Sequence, residues 1–178
     1  ELRTRVAALE GQLARLAELE RENQRLAALL GFREQMAATA YGARVIARDP
    51  GPLSTTLTID RGARDGVTRG MAVLAPDGVV GRVVEVSHTV SRVALVTDHN
   101  SGIDALIDRS RARGVVQGGN DGVCYMNYLN RDADVQLGDR ILTSGLDGVF
   151  PKGLTIGTVQ ELSRRHRGLL QSAVVAPS

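Results

Sequence analysis

His88, then Asp98 or Asp104, then Ser144 follow the order of a chymotrypsin-type catalytic triad, so nucleophilic hydrolysis is the first chemistry to test. Order alone is insufficient, because acyl transfer also needs backbone donors aimed at a developing oxyanion. Ser144 lies in Thr143-Ser144-Gly145-Leu146, without a Gly-Asp-Ser-Gly-Gly type of turn to build that hole. His88 sits between Ser87 and Thr89 and reads as a solvated histidine at a polar hairpin tip. No catalytic residue is assigned, and a degenerate hydrolase using His88 and Ser144 is kept as the alternative.

Metal and redox chemistry fare no better. His88, His99 and His166 form no HxH or HxxxH pair, and Asp98-His99 is the nearest approach to a ligand cluster. Cys124 is the single cysteine, which excludes an internal disulfide and a zinc knuckle. It alternates with Met126 and Tyr128, the pattern of a buried structural thiol in a strand. Paired carboxylates for glycoside cleavage would need aromatic subsites, yet the chain has no Trp, 3 Tyr and 2 Phe. The same scarcity argues against base stacking, and a net charge of +2 with scattered arginines leaves no polyanion-binding stripe. Arg164-Arg165-His166-Arg167 reads as a solvated turn. No cofactor, metal or nucleic acid is expected.

What remains is shape. The stretch from Gly138 to Val159 opens with Gly138-Asp139 and runs into a strand at 140–144. A loop carrying Asp147-Gly148 and Pro151-Lys152-Gly153 follows, then a strand from about Leu154 that is interrupted at Gly157. A glycine inside a strand marks a bulge or a close backbone approach. The stretch has an earlier echo. Gly70 to Leu74 corresponds to Gly138 to Leu142, Val80-Gly81-Arg82-Val83 to Ile156-Gly157-Thr158-Val159, and Thr55–Asp60 to Val123–Tyr128. Arg44-Val45-Ile46 lines up with Arg113-Gly114-Val115. One β unit written twice is the expectation.

The remaining punctuation agrees. Asp65-Gly66, Asp77-Gly78 and Asp121-Gly122 are turn signals, with Asp77-Gly78 closing a hairpin. Val93 to Val96 reads as a central strand, Ile103, Ala105 and Ile107 alternate with acids, and Gln171 to Val175 supplies a last strand. Residues 39–110 and 111–178 are predicted as two small six-stranded β-barrels.

Residues 1–38 are different: a helix and a small-residue hinge. Leu2, Val6, Leu9, Leu13 and Leu16 alternate steps of four and three, and Leu19, Asn23, Leu26 and Leu30 continue them after a stammer. Asn23 at an a position favours two strands in register. A parallel homodimer through Leu9, Leu13, Leu16, Leu19, Asn23, Leu26 and Leu30 is therefore expected, with Gly31 ending or bending the helix.

Several of these residues also resemble a known family, the rod-shape-determining MreC proteins. The resemblance is carried by Gly138-Asp139, Thr143-Ser144-Gly145, Phe150-Pro151-Lys152-Gly153 and Ile156-Gly157-Thr158-Val159. Gly78 to Val83 with Gly81, the Val93 to Asp98 strand, Arg113-Gly114 and Glu22 to Leu26 add to it. It implies a coiled coil followed by two β-barrels, in the periplasm and anchored in the bacterial inner membrane by a preceding helix. It also implies a non-catalytic, dimeric and in some members filamentous scaffold of the elongation machinery. The implied partners are a class B penicillin-binding transpeptidase, its SEDS glycosyltransferase, MreD and MreB. The motif glycines read as backbone-geometry residues, and Phe150 as either an exposed anchor or a plug in a barrel end. Peptide capture by strand addition at a free edge is compatible with this picture.

Overall fold

The computed structural model describes residues 2–35, 40–49, 55–119, 123–163 and 170–178. The chain divides into two units, Glu1–Gly42 and Ala43–Ser178. The first holds α1 (Leu2–Gln35), in which Gly11 and Gly31 are both accommodated. Gly31 does not end the helix, since each glycine costs only about 1 kcal/mol relative to alanine. Leu16, Leu19 and Leu26 are 56%, 60% and 48% exposed, and Asn23 is exposed with them. The side chains of Leu9, Leu13 and Leu30 lie outside the described ones, as do residues 36–39 of the expected hinge. Arg21 pairs with Glu18 and Arg25 with Glu22, each at 3.0 Å on the solvated surface. Such pairs add a few tenths of a kcal/mol, so the helix's own polar face does not account for the leucine stripe.

Among its described residues the regular structure of the second unit is all β apart from a 3-10 turn at Ala63–Asp65. β1 (Val45–Arg48), β2 (Thr56–Ile59), β3 (Ala72–Ala75), β4 (Gly78–Val86) and β5 (Ser91–Leu95) form an antiparallel sheet in the order β1-β2-β5-β4-β3. β6 (Ile103–Ile107), β7 (Arg113–Gly118), β8 (Cys124–Asn130), β9 (Arg140–Thr143), β10 (Thr155–Ser163) and β11 (Leu170–Pro177) close into a barrel ordered β10-β11-β8-β7-β6-β9.

Two expectations are corrected here. The first half is an open five-stranded sheet and not a second barrel, because none of its described strands bridges β1 and β3. In the other half β6 pairs with both β7 and β9 and completes the ring. That strand was placed in the first half by position, whereas its hydrogen bonds put it in the second.

Alternation explains the cores. Ile103, Ile107, Met126, Leu129, Ile141 and Ile156 point into the barrel and are fully buried, each contributing about 1.5–3 kcal/mol. The sheet packs Ile59, Val67, Val83 and Val93 on one face. Val79 and Val96 join the barrel's core instead, with Ala72 and Leu74 packed against it. Gly78 makes this junction close: a Cβ there would lie 2.3 Å from the Thr155 carbonyl oxygen. Cys124, buried in the barrel wall, reaches the Val96 carbonyl at 3.5 Å. Tyr128 departs from the expected alternation with Cys124 and Met126. Asn127 and Tyr128 together oppose Ser172 in a β-bulge, leaving Tyr128 at φ +62° and exposed while Leu129 turns inward.

Candidate interaction site

The loop between β9 and β10 holds most of the motif residues, and its polar groups are consumed locally. Thr143 is fully buried at the end of β9; its hydroxyl donates to the Pro151 carbonyl and accepts from the Leu154 N–H at 2.9 Å. The Ser144 N–H donates to the Asp104 carbonyl at 2.9 Å, and its Oγ accepts from the Leu146 N–H at 3.2 Å. Asp147 accepts from the N–H groups of Val149 and Phe150 at 2.9 and 3.1 Å. Gly145 (φ +77°) is pressed against Lys152, where a Cβ would come within 2.9 Å of the Lys152 Cβ. Gly153 adopts φ +91°, a conformation that only glycine takes without strain.

Phe150 belongs to the barrel core at 4% exposure, and Pro151 beside it is exposed. Of the two readings of Phe150, the barrel plug holds and the exposed anchor does not. Asp147 folds the loop back so that the ring fills the barrel end, which removes it from water. Among the described residues, the exposed large apolar side chains of the barrel half are instead Leu146, Leu137 and Tyr128, at 65%, 67% and 62%.

At the opposite end of β9, Gly138 (φ +82°) donates its N–H to Val159 at 2.8 Å, and the Val159 N–H returns to Asp139 at 3.0 Å. The Asp139 carboxylate accepts from the Gln136 N–H at 2.9 Å and from Arg109 Nε and Nη2 at 2.9 and 3.0 Å. Arg109 also grips Asp134. These hydrogen bonds to Arg109 hold both carboxyls below the usual carboxylate range and raise the guanidinium's pKa. Sequence reading found Asp139 but missed Arg109, which lies 30 residues upstream with no local signal.

Gly81 and Gly157 have one purpose. A Cβ on Gly81 would meet the Ala94 carbonyl oxygen at 1.9 Å, and one on Gly157 that of Ala176 at 2.0 Å. The motif residues thus hold backbones in place. His88 and Ser144 fall in different halves: His88 is exposed in the β4–β5 turn of the sheet, and Ser144 closes β9 of the barrel. Asp98 hydrogen-bonds the Thr55 hydroxyl at 2.7 Å and the Asn100 N–H at 2.8 Å. Among the described residues no group of three His, Cys, Asp or Glu side chains converges, and no helix is long and apolar enough to cross a membrane.

The model of the family described as rod shape-determining protein MreC, barrel core, matches residues 45–178. The chain belongs to the MreC family. It is 38% identical over 170 residues to the cell shape-determining protein MreC of Caulobacter vibrioides (strain NA1000 / CB15N), covering 95% of this chain and 49% of that protein. The chain spans about half the length of the curated relatives it matches. A solved MreC structure superposes with a TM-score of 0.80 at 31% identity, over 90% of this chain and 93% of that one. The fold is also that of a chain in a complex between Penicillin-Binding Protein (PBP2) and MreC from Helicobacter pylori, with a TM-score of 0.59 at 18% identity over 68% of this chain and 76% of that one.

Proposed function

We propose that this MreC-family chain is a non-catalytic periplasmic scaffold of the bacterial elongation machinery, held at the inner membrane by a segment preceding it. It dimerises through the α1 stripe of Leu9, Leu13, Leu16, Leu19, Asn23, Leu26 and Leu30 and presents its β units to cell-wall synthesis proteins. A class B penicillin-binding transpeptidase is the first partner; its SEDS glycosyltransferase, MreD and MreB complete the assembly, and dimers associate further into filaments. The β unit arose by internal duplication, a reading supported by its repeated strand order.

The observation that carries the scaffold reading is where the motif's polar groups go. The Thr143, Ser144, Asp147 and Asp139 side chains all bond within their own loops or to Arg109, so the motif builds shape. Exposed Leu16, Leu19 and Leu26 supply a dimerisation surface of the kind a scaffold needs. The existence of a PBP2 complex for the H. pylori protein supports the choice of partner. Sedimentation across concentrations tests the assembly. The wild-type chain should be a dimer, and Leu16→Asp/Leu26→Asp a folded monomer that pulls down less transpeptidase. A dimer that survives both charges would overturn the seam.

Strand addition is a second reading that one observation favours. β1 hydrogen-bonds only to β2 among the described strands, and all four of its residues are exposed, Val45 and Ile46 among them. A sheet edge of this kind is a template for an extended peptide. Ile46→Pro would abolish such pairing without touching the barrel, and unchanged partner capture would exclude it.

A further inference from the structure

The sheet has a second face, and its residues are not those of its core. Register places Thr56 opposite Ala94 and Ala94 opposite Arg82, a cross-strand row that alternates with core residues Val83 and Val93. This row lines a cleft of about 220 Å³ at the junction with the barrel, whose other lining includes Gly102, the half-buried Val84, and the buried Ile103 and Phe150 at its floor. The lining contains two charges. Asp98 is buried, and both carboxylate oxygens are engaged by Thr55 and Asn100 of its own surroundings. Arg82 is half-buried, and its side chain makes no hydrogen bond or ion pair with any described residue. A partnerless guanidinium beside apolar walls has its donors available and its competing water thinned out, the setting in which bidentate recognition of a carboxylate is strongest.

We infer that this cleft captures the C-terminal residue of a partner polypeptide, with the terminal carboxylate on Arg82 and an apolar side chain against the half-buried Val84 and Ala94. Its volume falls below the roughly 300–1,000 Å³ of ordinary small-molecule pockets, so it holds about one residue, and the Arg82 guanidinium favours one that ends in a carboxylate. Asp98 on the lining opposes a second negative charge, which sets the preference for an apolar terminal residue over Asp or Glu. The inference goes beyond the scaffold reading and does not depend on dimerisation.

The test is an amide chemical-shift titration of the whole chain with three probes: N-acetyl-leucine, N-acetyl-leucine amide and acetate. N-acetyl-leucine should give saturable shifts centred on Gly81, Gly102 and Ile103, with Kd on the order of millimolar for a ligand of this size. The amide, which lacks the charge, should bind at least about tenfold more weakly, and so should acetate, which lacks the side chain. Arg82→Gln should abolish the shifts and Arg82→Lys should retain part of them. Ala94→Leu, which fills the cleft and keeps Arg82, should also block binding while the barrel amides stay in place. Equal affinity for acid and amide, equal affinity for acetate, shifts centred elsewhere, or no saturable shift would each overturn the proposal. None of these outcomes bears on the sedimentation result for α1.

Discussion

The two β halves share one wiring and differ in what closes it. The sheet order β1-β2-β5-β4-β3 reappears in the barrel as β7-β8-β11-β10-β9, with β6 inserted between the ends of the series. The match extends to irregularities. β4 carries an extra residue opposite β5 at Val84, and β10 one opposite β11 at Gln160. On their other edges β4 and β10 carry extra residues at Val80 and Ile156. Gly70 donates to Val83 at 2.8 Å as Gly138 does to Val159 at 2.8 Å. What the halves do not share is local and chemical. Met71 stands where Asp139 stands, and a tight turn at Pro76-Asp77 replaces the loop of 144–154. A common backbone plan is therefore compatible with two outcomes, and one added strand decides which half encloses a core.

Replacing the paired glycines is the most disruptive way to break this correspondence. Gly157→Val drives a side chain into the Ala176 carbonyl inside a closed ring, which has no free edge along which to relax. It should cost about 3 kcal/mol or more in urea unfolding. Gly81→Val meets the Ala94 carbonyl just as closely, but the open sheet can splay, so about 1–3 kcal/mol is expected. Equal losses would mean that closure adds no rigidity at this strand pair.

A smaller effect separates the two hairpin ends. Thr143→Val removes the hydroxyl that bonds both Pro151 and Leu154 and leaves those part-buried backbone groups without it, at about 1–2 kcal/mol. Ala75 occupies the same place before the sheet's short turn, and Ala75→Val should stay within about 0.5 kcal/mol. A Thr143→Val protein with unchanged urea midpoint would show that the loop is held by Phe150 alone.

Acid should distinguish the halves without mutation. Arg109 depresses the Asp139 and Asp134 carboxyls below their unfolded value of about 3.9. The stabilisation they provide is complete above that unfolded value and is lost as pH falls through the lower folded values. Met71 gives the β3–β4 hairpin no counterpart to Asp139, and the depressed carboxyl of the sheet half, Asp65, accepts from the Gly62 N–H of its own turn instead. Amide exchange in β9 and β10 should therefore accelerate below pH ~4 before that in β3 and β4 does, and Asp139→Asn should flatten the difference. Simultaneous loosening of both hairpins would remove the Arg109 clamp from the account.

These contrasts also show what a sequence can and cannot reveal. The Asp77-Gly78 hairpin, the central strand at β5 and the close backbone approach at Gly157 were legible because each follows from local turn chemistry, a short period or a glycine inside a strand. Barrel closure was not, since β6 reads like any alternating strand and its partners β7 and β9 are chosen by long-range pairing. Phe150 stayed open between an exposed anchor and a barrel plug for a related reason: only the Asp147 cap reveals that the loop folds inward. Arg109 and Arg82 look like ordinary surface arginines in sequence. One is committed to two aspartates and the other faces a cleft, a difference that only the fold creates.

The smallest prediction concerns the seam between the halves. Cys124 is fully buried in β8, and its Sγ reaches the Val96 carbonyl across the junction. Cys124→Ala removes a small apolar group and a weak donor, so about 1 kcal/mol should be lost. Its thiol is more informative as a probe than as a contributor. If sheet and barrel open only together, alkylation of Cys124 in the wild-type protein should track global unfolding and match the exchange rate of the slowest β8 amides. If the open sheet detaches first, alkylation should outpace those amides while the barrel stays protected. The second result would confine cooperative stability to the closed half, leaving the sheet as an appendage held by Gly78, Val79 and Val96.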